Sequence, residues 1–373
     1  MEGKSSEEFG IEKLVIPDQP LALSNLLTLL KDRVGGIYRG KLSAIIFSCD
    51  SEPTEIFHQN SEEGYSIKSK WQGEIGYTSI GRKIKNEKDE TFQMISGTFF
   101  TMKIESGIWV SITIGEDEFI EKVLIRFFDV CSPDISIMHY TSTELRKILQ
   151  SFVEENELEA EVVKAVIYPF GGGARIDFDR KPMEFLFDKC QEDKLFVDKI
   201  RLELQRENKI LCDVFTSRKG VFRFYDGDVD FFFRKFISRF AGVAGSTKKV
   251  LEKRERSFGS LISKPLAIDF ENDVFLDIHD NHRFINALCS LDKSGVSVYH
   301  QNPYVHLSFS DFKDGSGYDV FAVSSNSVRI IPSYRSTLDS LMRISDCILD
   351  CMGEGQIKDL DNSTLQVPDF FED

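Results

Sequence analysis

The sequence lacks the segments that direct a chain into or across a membrane. No stretch approaches the about 18 consecutive apolar residues that a transmembrane helix requires. The N-terminal residues MEGKSSEEFGIEK contain no apolar core flanked by positive charge, so no signal peptide is expected. The 7 cysteines are odd in number and scattered, which favours reduced thiols over a disulfide framework. We therefore expect a cytoplasmic protein without a membrane partner.

The short motifs of common enzyme classes are also absent. No GxSxG, HExxH, CxxC or GxxxxGK[ST] pattern occurs. Asp177 and Asp179 stand two apart on a predicted strand and would face the same side, as a metal-dependent nuclease requires. Surface alternation, with Ile176 and Phe178 turned inward, explains these carboxylates as well, and we favour it. We predict no cofactor and no metal site, and we expect binding without catalysis.

Other residues of metal-ligating type have simpler interpretations. Cys347 and Cys351 lie one helical turn apart on an apolar face, which predicts buried free thiols. The run DGDVD at 226–230 begins like a calcium loop, but Ile237 stands where the bidentate Glu is required. It therefore predicts the N-terminal cap of a helix.

Tryptophan is scarce, whereas phenylalanine is abundant: there are 2 Trp and 32 Phe. The core is therefore expected to be built on phenylalanine. A chain of 373 residues with 41% hydrophobic and 29% charged residues is typical of a globular protein of two or three domains. The formal net charge of −15 favours solubility and opposes nonspecific adhesion to nucleic acid or anionic membranes.

Apolar periodicity predicts an α+β fold. Three candidate units, at 95–157, 195–245 and 295–353, are each predicted as an antiparallel β-meander followed by a helix. In the first unit GIWVSITI, EKVLIRFFDV and DISIMHYT are predicted as strands. The order of elements loosely resembles the curved-sheet units of TATA-binding-protein-like folds. No motif is shared, so the resemblance implies nothing about function.

Composition shifts divide the chain into five predicted regions. These are an N-terminal α+β domain (1–157), a middle β-meander and helix domain (158–245), a basic linker or exposed helix (246–265), a C-terminal β-meander and helix domain (266–357) and an acidic tail (358–373).

Basic residues cluster in one segment of this acidic chain. From Arg234 to Lys264 there are nine basic residues and two acidic ones, Glu252 and Glu255. Phosphate contacts need only cationic reach, so this segment predicts binding of nucleic acid. The predicted contacts are Arg234, Lys235, Arg239, Lys248, Lys249, Lys253, Arg254 and Arg256. The alternatives are a linker helix held by charge alternation and a patch that docks on the protein's own acidic tail.

The segment NSTLQVPDFFED, residues 362–373, places two phenylalanines side by side. Within TLQVPDFF, the spacing of Thr364, Val367, Phe370 and Phe371 resembles the sliding-clamp-binding peptide of the PCNA-interacting type, with Thr364 where that family has Gln. The resemblance implies a clamp-like partner that receives Val367 and the two aromatic rings as a plug. Alternatively, Phe370 and Phe371 fold back onto the C-terminal domain.

Taken together, these features predict a non-catalytic accessory factor that contacts nucleic acid through the basic segment and a sliding clamp through the tail. The first alternative is a protein-interaction subunit, or adaptor, that binds no nucleic acid. The second is a metal-dependent nuclease.

Overall fold

The computed structural model describes residues 22–34, 41–60, 64–85, 92–256 and 264–360. Helices and antiparallel sheets account for these residues, so the predicted α+β class is confirmed. The N-terminal elements are α1 (Leu23–Val34), β1 (Lys41–Ser48), α2 (Pro53–Gln59), β2 (Tyr65–Gln72), β3 (Ile75–Lys85), β4 (Phe92–Glu105), β5 (Ile108–Gly115), α3 (Asp117–Phe119), α4 (Ile125–Val130) and β6 (Ser136–Ile137).

The central elements complete a first large sheet. They are α5 (Ser142–Glu155), β7 (Glu159–Pro169), β8 (Ile176–Pro182), α6 (Met183–Glu192), β9 (Leu195–Arg206), β10 (Lys209–Ser217), β11 (Val221–Gly227), α7 (Val229–Phe231) and α8 (Ser238–Glu252). π-Helical segments at Ile120–Leu124 and Phe232–Ile237 join α3 to α4 and α7 to α8, so each pair forms one continuous helix.

The C-terminal elements form a second sheet. They are β12 (Leu266–Phe270), α9 (Ile278–Cys289), β13 (Ser294–His300), β14 (His306–Asp311), β15 (Ser316–Ser324), β16 (Ser327–Pro332), α10 (Leu338–Met352) and β17 (Gly355–Asp359).

Every strand pair in the two sheets is antiparallel. The 11-stranded sheet has the order β2-β3-β4-β5-β1-β11-β10-β9-β7-β8, with the short β6 also paired to β1. The 6-stranded sheet has the order β13-β14-β15-β16-β12-β17. Of the three predicted meander units, the middle one therefore joins the first sheet and does not build a sheet of its own.

One strand order occurs twice in the molecule. We call β1 to β6 the N-terminal repeat and β12 to β17 the C-terminal repeat. Each runs strand, helix, four-stranded meander, helix, strand, and in each the first strand lies between the last meander strand and the closing strand. In the N-terminal repeat the closing strand β6 pairs only Phe47 and Ser48, because β11 pairs residues 42–45 of β1.

The two repeats differ in what covers their sheets. In the N-terminal repeat, α2, α3 and α4 pack on one face, and α1 and α8 contribute to the apolar cluster on the other. In the C-terminal repeat, α9 and α10 contribute to the apolar cluster on one face. Among the described residues no helix covers the opposite face, on which Tyr299 is 63% exposed and Val323 is 39% exposed, and we call this face open.

The segment EKVLIRFFDV is helical, so its prediction as a strand is wrong. Four of its apolar residues, with the two that precede it, recur at helical spacing and are buried: Phe119, Ile120, Val123, Leu124, Phe127 and Phe128. A short apolar run does not by itself distinguish a buried strand from a buried helix. In DISIMHYT only Ser136 and Ile137 form a strand.

Three predicted domain boundaries do not coincide with breaks in the structure. The boundary at 157 falls within a region that builds a single sheet, because β1 pairs with β11. The boundary at 245 falls inside α8, so 246–252 is helical, as the second alternative for this region had it, and is not a linker; its Lys248 and Leu251 are buried and its Ser246 and Lys249 exposed. Residues 358 and 359, assigned to the tail, belong to β17.

A buried arginine joins the first sheet to the helices beneath the second. Arg218, in the turn between β10 and β11, pairs with Asp350 of α10 at 2.5 Å, and its side chain is 6% exposed. Its Nε donates to the carbonyl oxygen of Tyr140 at 3.0 Å. Burial raises the pKa of Asp350 to about 6, against the opposing effect of Arg218. The two sheets are thus connected by an ion pair whose arginine is buried and whose carboxylate is partly exposed.

Within the described ranges, no helix is long and apolar enough to cross a membrane.

Candidate binding surfaces

The predicted nucleic-acid residues do not form one continuous basic surface. Lys248 lies on the buried side of α8, and its side chain is 5% exposed. Its Nζ donates to Asp50 at 2.6 Å and also pairs with Glu252 on the same helix. Since both its charge and its stem are enclosed, Lys248 holds α8 against the N-terminal repeat.

Arg254 is fully buried and bonds to the chain itself. Its guanidinium donates to the carbonyl oxygens of Val250 at 2.6 Å and Pro265 at 3.1 Å. Asp359 of β17 pairs with both Arg254 and Lys253. These two hydrogen bonds, from Arg254 first, lower the pKa of Asp359 to about 2. The basic segment is therefore partly neutralised by an acidic residue near the C-terminus.

Arg256 is also used internally. Its Nη1 donates to the carbonyl oxygens of Pro332, at 3.0 Å, and of Ser333. Lys248, Arg254 and Arg256 were predicted to contact phosphate, but these contacts turn all three inward. Charge counting along the sequence could not separate them from exposed cations, since the partners are distant in sequence.

The remaining basic residues lie on an exposed side of the same helices. Arg234, Lys235 and Arg239 line a groove of about 580 Å³ between α5 and the helix that contains α8. Arg234 pairs with Asp230 at 2.8 Å, and Arg239 pairs with Glu155 at 2.8 Å. Lys235 and Lys249 are exposed and have no ion pair within the described part of the chain. The groove thus brings three predicted cations together, two of them already paired.

Asp177 and Asp179 share one face of β8, as predicted from their spacing. Their cross-strand neighbours are Val166 and Lys164 of β7. Both carboxylates are exposed, and Asp177 pairs with Arg175 at 2.6 Å. Within the described residues, no three His, Cys, Asp or Glu side chains come together as a metal-binding group. The pair therefore has the surroundings of a solvated surface strand.

Cys347 and Cys351 face the neighbouring helix α9. Their Sγ atoms donate to the carbonyl oxygens of Ala287 at 3.3 Å and Arg283 at 3.6 Å. Burial raises the pKa of Cys347 to about 12, so its thiol stays protonated at neutral pH. Thr364, Val367, Phe370 and Phe371, predicted to bind a clamp-like partner, lie outside the described residues.

The open face of the second sheet carries a stack of aromatic rings that the sequence analysis missed. The ring of His306 on β14 lies 4.0 Å from that of Phe321 on β15, nearly parallel at 15°. Tyr299 of β13 lies 4.9 Å from His306 on the other side. We call the surface formed by Tyr299, His306 and Phe321 the aromatic face.

The imidazole of His306 behaves as an aromatic ring here. Burial lowers its pKa, and the nearby His300 acts in the same direction against Asp319. With its pKa lowered, the ring is mostly uncharged at neutral pH, and contact between nearly parallel aromatic rings is favourable. The aromatic face is apolar in character even at its histidine.

Basic side chains flank the aromatic face on the side of β16 and β17. Arg329 pairs with Asp269 of β12 at 3.0 Å, and Lys358 pairs with the same carboxylate at 3.1 Å. Burial alone would raise the pKa of Asp269, but hydrogen bonds from Ser327, Arg329 and Lys358 hold that pKa below its usual range. Asp269 thus fixes two cations beside the aromatic rings.

The cross-strand registers show that the aromatic face corresponds to a covered surface of the N-terminal repeat. Counted from the matching hairpins that join β4 to β5 and β15 to β16, the covered row there is Ile75, Met102, Val110 and Ile46, on β3, β4, β5 and β1. The open row of the C-terminal repeat is His306, Phe321, Arg329 and Ala267, on the equivalent strands β14, β15, β16 and β12. Met102 is 8% exposed and belongs to the apolar cluster that includes α8. Phe321, at the equivalent place, is partly exposed.

A sequence signal for this face exists in retrospect. Strands β14 and β15 alternate buried and exposed residues, and alternate side chains lie on opposite faces of a sheet. His306, Phe321 and Val323 occupy the solvent-facing positions of this alternation, where polar residues are usual. An aromatic residue at a solvent-facing position of a predicted strand is therefore the sequence pattern that indicates such a surface.

No protein-family model matches the chain, and no curated protein matches it.

Proposed function

We propose that the protein acts by binding, without catalysis, and that the aromatic face receives a segment of a partner protein. The observation that carries the proposal is the repeated strand order with unequal cover. In the N-terminal repeat the covered row lies within the apolar cluster to which α1 and α8 belong. In the C-terminal repeat the open row presents Phe321 and its neighbours to solvent. Contiguous exposed aromatic residues favour an interaction site.

The chemistry of the face defines the partner segment. The stacked rings of Tyr299, His306 and Phe321 offer a surface for apolar or aromatic side chains, which dominate small interfaces. Arg329 and Lys358 offer charge-assisted donors to a carboxylate. A peptide that combines aromatic side chains with Asp or Glu therefore fits both parts of the surface.

Charge favours a protein partner over nucleic acid at this face. Arg329 and Lys358 already share Asp269, so the three side chains together carry one net positive charge. Asp319 lies on the same face, and the whole chain has a net charge of −15. Nucleic acid binding depends on several unneutralised cations at phosphates. A peptide needs fewer of them.

The test is an array of immobilised synthetic peptides probed with the purified full-length protein. Peptides that pair two aromatic residues with several Asp or Glu should retain the protein, and peptides with only one of these features should retain less. Phe321→Ser should lose this binding. Phe92→Ser, which changes a phenylalanine that is 70% exposed at the start of β4, should keep it.

Two results would overturn the proposal. One is an array on which the wild type and Phe321→Ser behave alike. The other is binding of a labelled single-stranded oligonucleotide that Phe321→Ser abolishes, since the aromatic face would then stack bases.

A second candidate is the nucleic-acid accessory factor, because Arg234, Lys235 and Arg239 line one groove with the exposed Lys249 on the same helix. In that case the peptide of residues 364–371 would recruit a sliding clamp. The nuclease receives no such support, since Asp177 and Asp179 lack a third carboxylate within the described residues.

The second candidate is tested by charge reversal. Duplex and single-stranded DNA should bind at about 50 mM salt with steep salt dependence, because phosphate contacts release counterions. Lys235→Glu combined with Lys249→Glu should weaken that binding without lowering stability. An unchanged DNA affinity in this double variant, or no binding by the wild type, contradicts the candidate.

A further inference from the structure

The last residues that the structure describes, in and after β17, lie beside the aromatic face. Strand β17 is an edge strand of the second sheet, and Lys358 pairs in register with Ala267 of the open row. The sequence continues past Leu360 for thirteen residues, 361–373. These residues therefore begin next to the surface for which a cover is proposed.

The length of this segment is sufficient to reach the aromatic rings. From β17 the sheet runs through β12, β16 and β15 to β14. Four strand spacings of about 4.8 Å make roughly 19 Å from Lys358 to His306. The ten residues from Leu360 to Phe370 can span up to about 33 Å. Phe370 and Phe371 can therefore reach Phe321 and His306 without strain.

The segment also has the side chains that the face would recognise. Phe370 and Phe371 are adjacent, and Val367 precedes them. Carboxylates stand on both sides of this apolar group, at Asp361, Asp369, Glu372 and Asp373. Aromatic rings for the stack and acidic groups for Arg329 and Lys358 thus occur together within one short stretch.

We infer that residues 361–373 occupy the aromatic face of their own chain and must be displaced before a partner segment binds. The inference rests on the proposed function, because it assigns a segment of the same chain to the face that is proposed to bind the partner. The protein would then inhibit itself. Its own segment 361–373 carries the same kinds of side chain as the partner segment and competes with the partner for the aromatic face. An attached segment acts at an effective concentration in the millimolar range when its linker is short.

The experiment measures binding of a fluorescein-labelled peptide of residues 362–373 to full-length protein by fluorescence anisotropy. The wild type is compared with a full-length variant carrying Phe370→Ser and Phe371→Ser. Serine at both positions removes the rings of the attached segment and leaves its length unchanged. The variant should bind the labelled peptide about tenfold to a hundredfold more tightly, because the competing segment is weakened.

Two matched substitutions locate the binding. In the tail-variant background, Phe321→Ser should abolish peptide binding, whereas Phe92→Ser should leave it unchanged. Phe321 and Phe92 both lie on strands and both expose ring surface, but only Phe321 is part of the aromatic face.

The outcomes separate this inference from the proposal on which it rests. Equal peptide affinity of the wild type and the tail variant, with loss in Phe321→Ser, overturns occupation in cis and leaves the proposed function standing. Absence of binding to both proteins, while array peptides still bind, overturns the inference alone. Absence of binding in both experiments overturns the proposed function as well.

Discussion

The two repeats place equivalent rows of residues in opposite environments. In the N-terminal repeat, Met102 and Val110 of the covered row are 8% and 0% exposed. In the C-terminal repeat, Phe321 stands at the position of Met102 and Arg329 at the position of Val110. The strand order alone therefore does not decide which face becomes core. A sheet face becomes part of the core where a helix such as α8 packs on it. On the open face of the C-terminal repeat, the charged side chain of Arg329 is compatible with exposure to water.

A third surface, on the first sheet, offers a further contrast with the aromatic face. On the outer side of β9, β10 and β11, Arg201 binds Asp213 through two hydrogen bonds of 2.9 and 2.6 Å. Arg223 pairs there with Asp117 at 3.0 Å. Charged partners satisfy each other on this face. There Arg201 and Arg223 also lie over the rings of Tyr225 and Phe215, whereas the rings of the aromatic face contact one another, which is why that face is assigned to a partner.

The largest difference between the repeats is expected on truncation of a phenylalanine on the covered face of one repeat and a phenylalanine on the open face of the other. Phe100→Ala should lower the free energy of unfolding by about 3–5 kcal/mol, because it leaves a cavity under the covering helices. Phe321→Ala should change that free energy by less than about 1 kcal/mol, since the ring loses only cross-strand contacts. Urea denaturation of both variants measures the difference. Similar losses of unfolding free energy in the two variants would contradict the difference in cover between the two repeats.

A smaller effect is expected at the helix that covers the N-terminal repeat. Lys248→Met should lower the free energy of unfolding by about 1–2 kcal/mol, because Asp50 and Glu252 lose their shared cation. The cost is limited because Asp50 is 77% exposed and can be hydrated. Lys249→Met, one residue on and exposed, should change stability by less than about 0.5 kcal/mol.

The same urea titration decides between a structural and a phosphate-binding role for Lys248. If Lys248→Met is as stable as Lys249→Met, the lysine is not needed to hold α8, and its role in nucleic acid binding would need to be reconsidered.

A pH-dependent effect is expected at the strand that closes the C-terminal repeat. Arg254 and Lys253 lower the pKa of Asp359 from 3.8 to about 2, so the unfolded chain takes up the proton first as pH falls. The contribution of Asp359 to stability is complete above pH 3.8 and is lost as pH falls through about 2. Asp359→Asn should therefore be less stable than the wild type near neutral pH and should show a shallower loss of stability in this acidic window. Parallel acid profiles of the two proteins would contradict this assignment.

Much of the fold follows from local periodicity. The meander strands at 195–227 and 294–332 and the helices after them were predicted, because their alternation and helical spacing are regular. The cap at Asp228 was also predicted, and its carboxylate accepts from the amides of Asp230 and Phe231. The helix at Asp117–Val130 was missed, since its apolar run fits a buried strand equally well by composition.

The candidate site depends on tertiary contacts that the sequence does not display. Arg254 has a partner 105 residues away in Asp359, so its burial could not be derived from the local run of charge. The open row depends on which helix lies over which sheet, and α8 covers the N-terminal repeat because the chain passes from β11 directly into it. The sequence predicted exposed cations and missed the exposed rings for this reason.

The most direct measurement is photo-crosslinking from the aromatic face. A benzoylphenylalanine replaces Tyr299, and the irradiated full-length protein is digested and analysed by mass spectrometry. The account predicts crosslinks to residues 361–373, and their transfer to an added acidic-aromatic peptide at high concentration. The same probe at Phe92 should give neither product. A probe at position 299 that reaches neither the C-terminal segment nor the added peptide would contradict the assignment of this face as a binding surface.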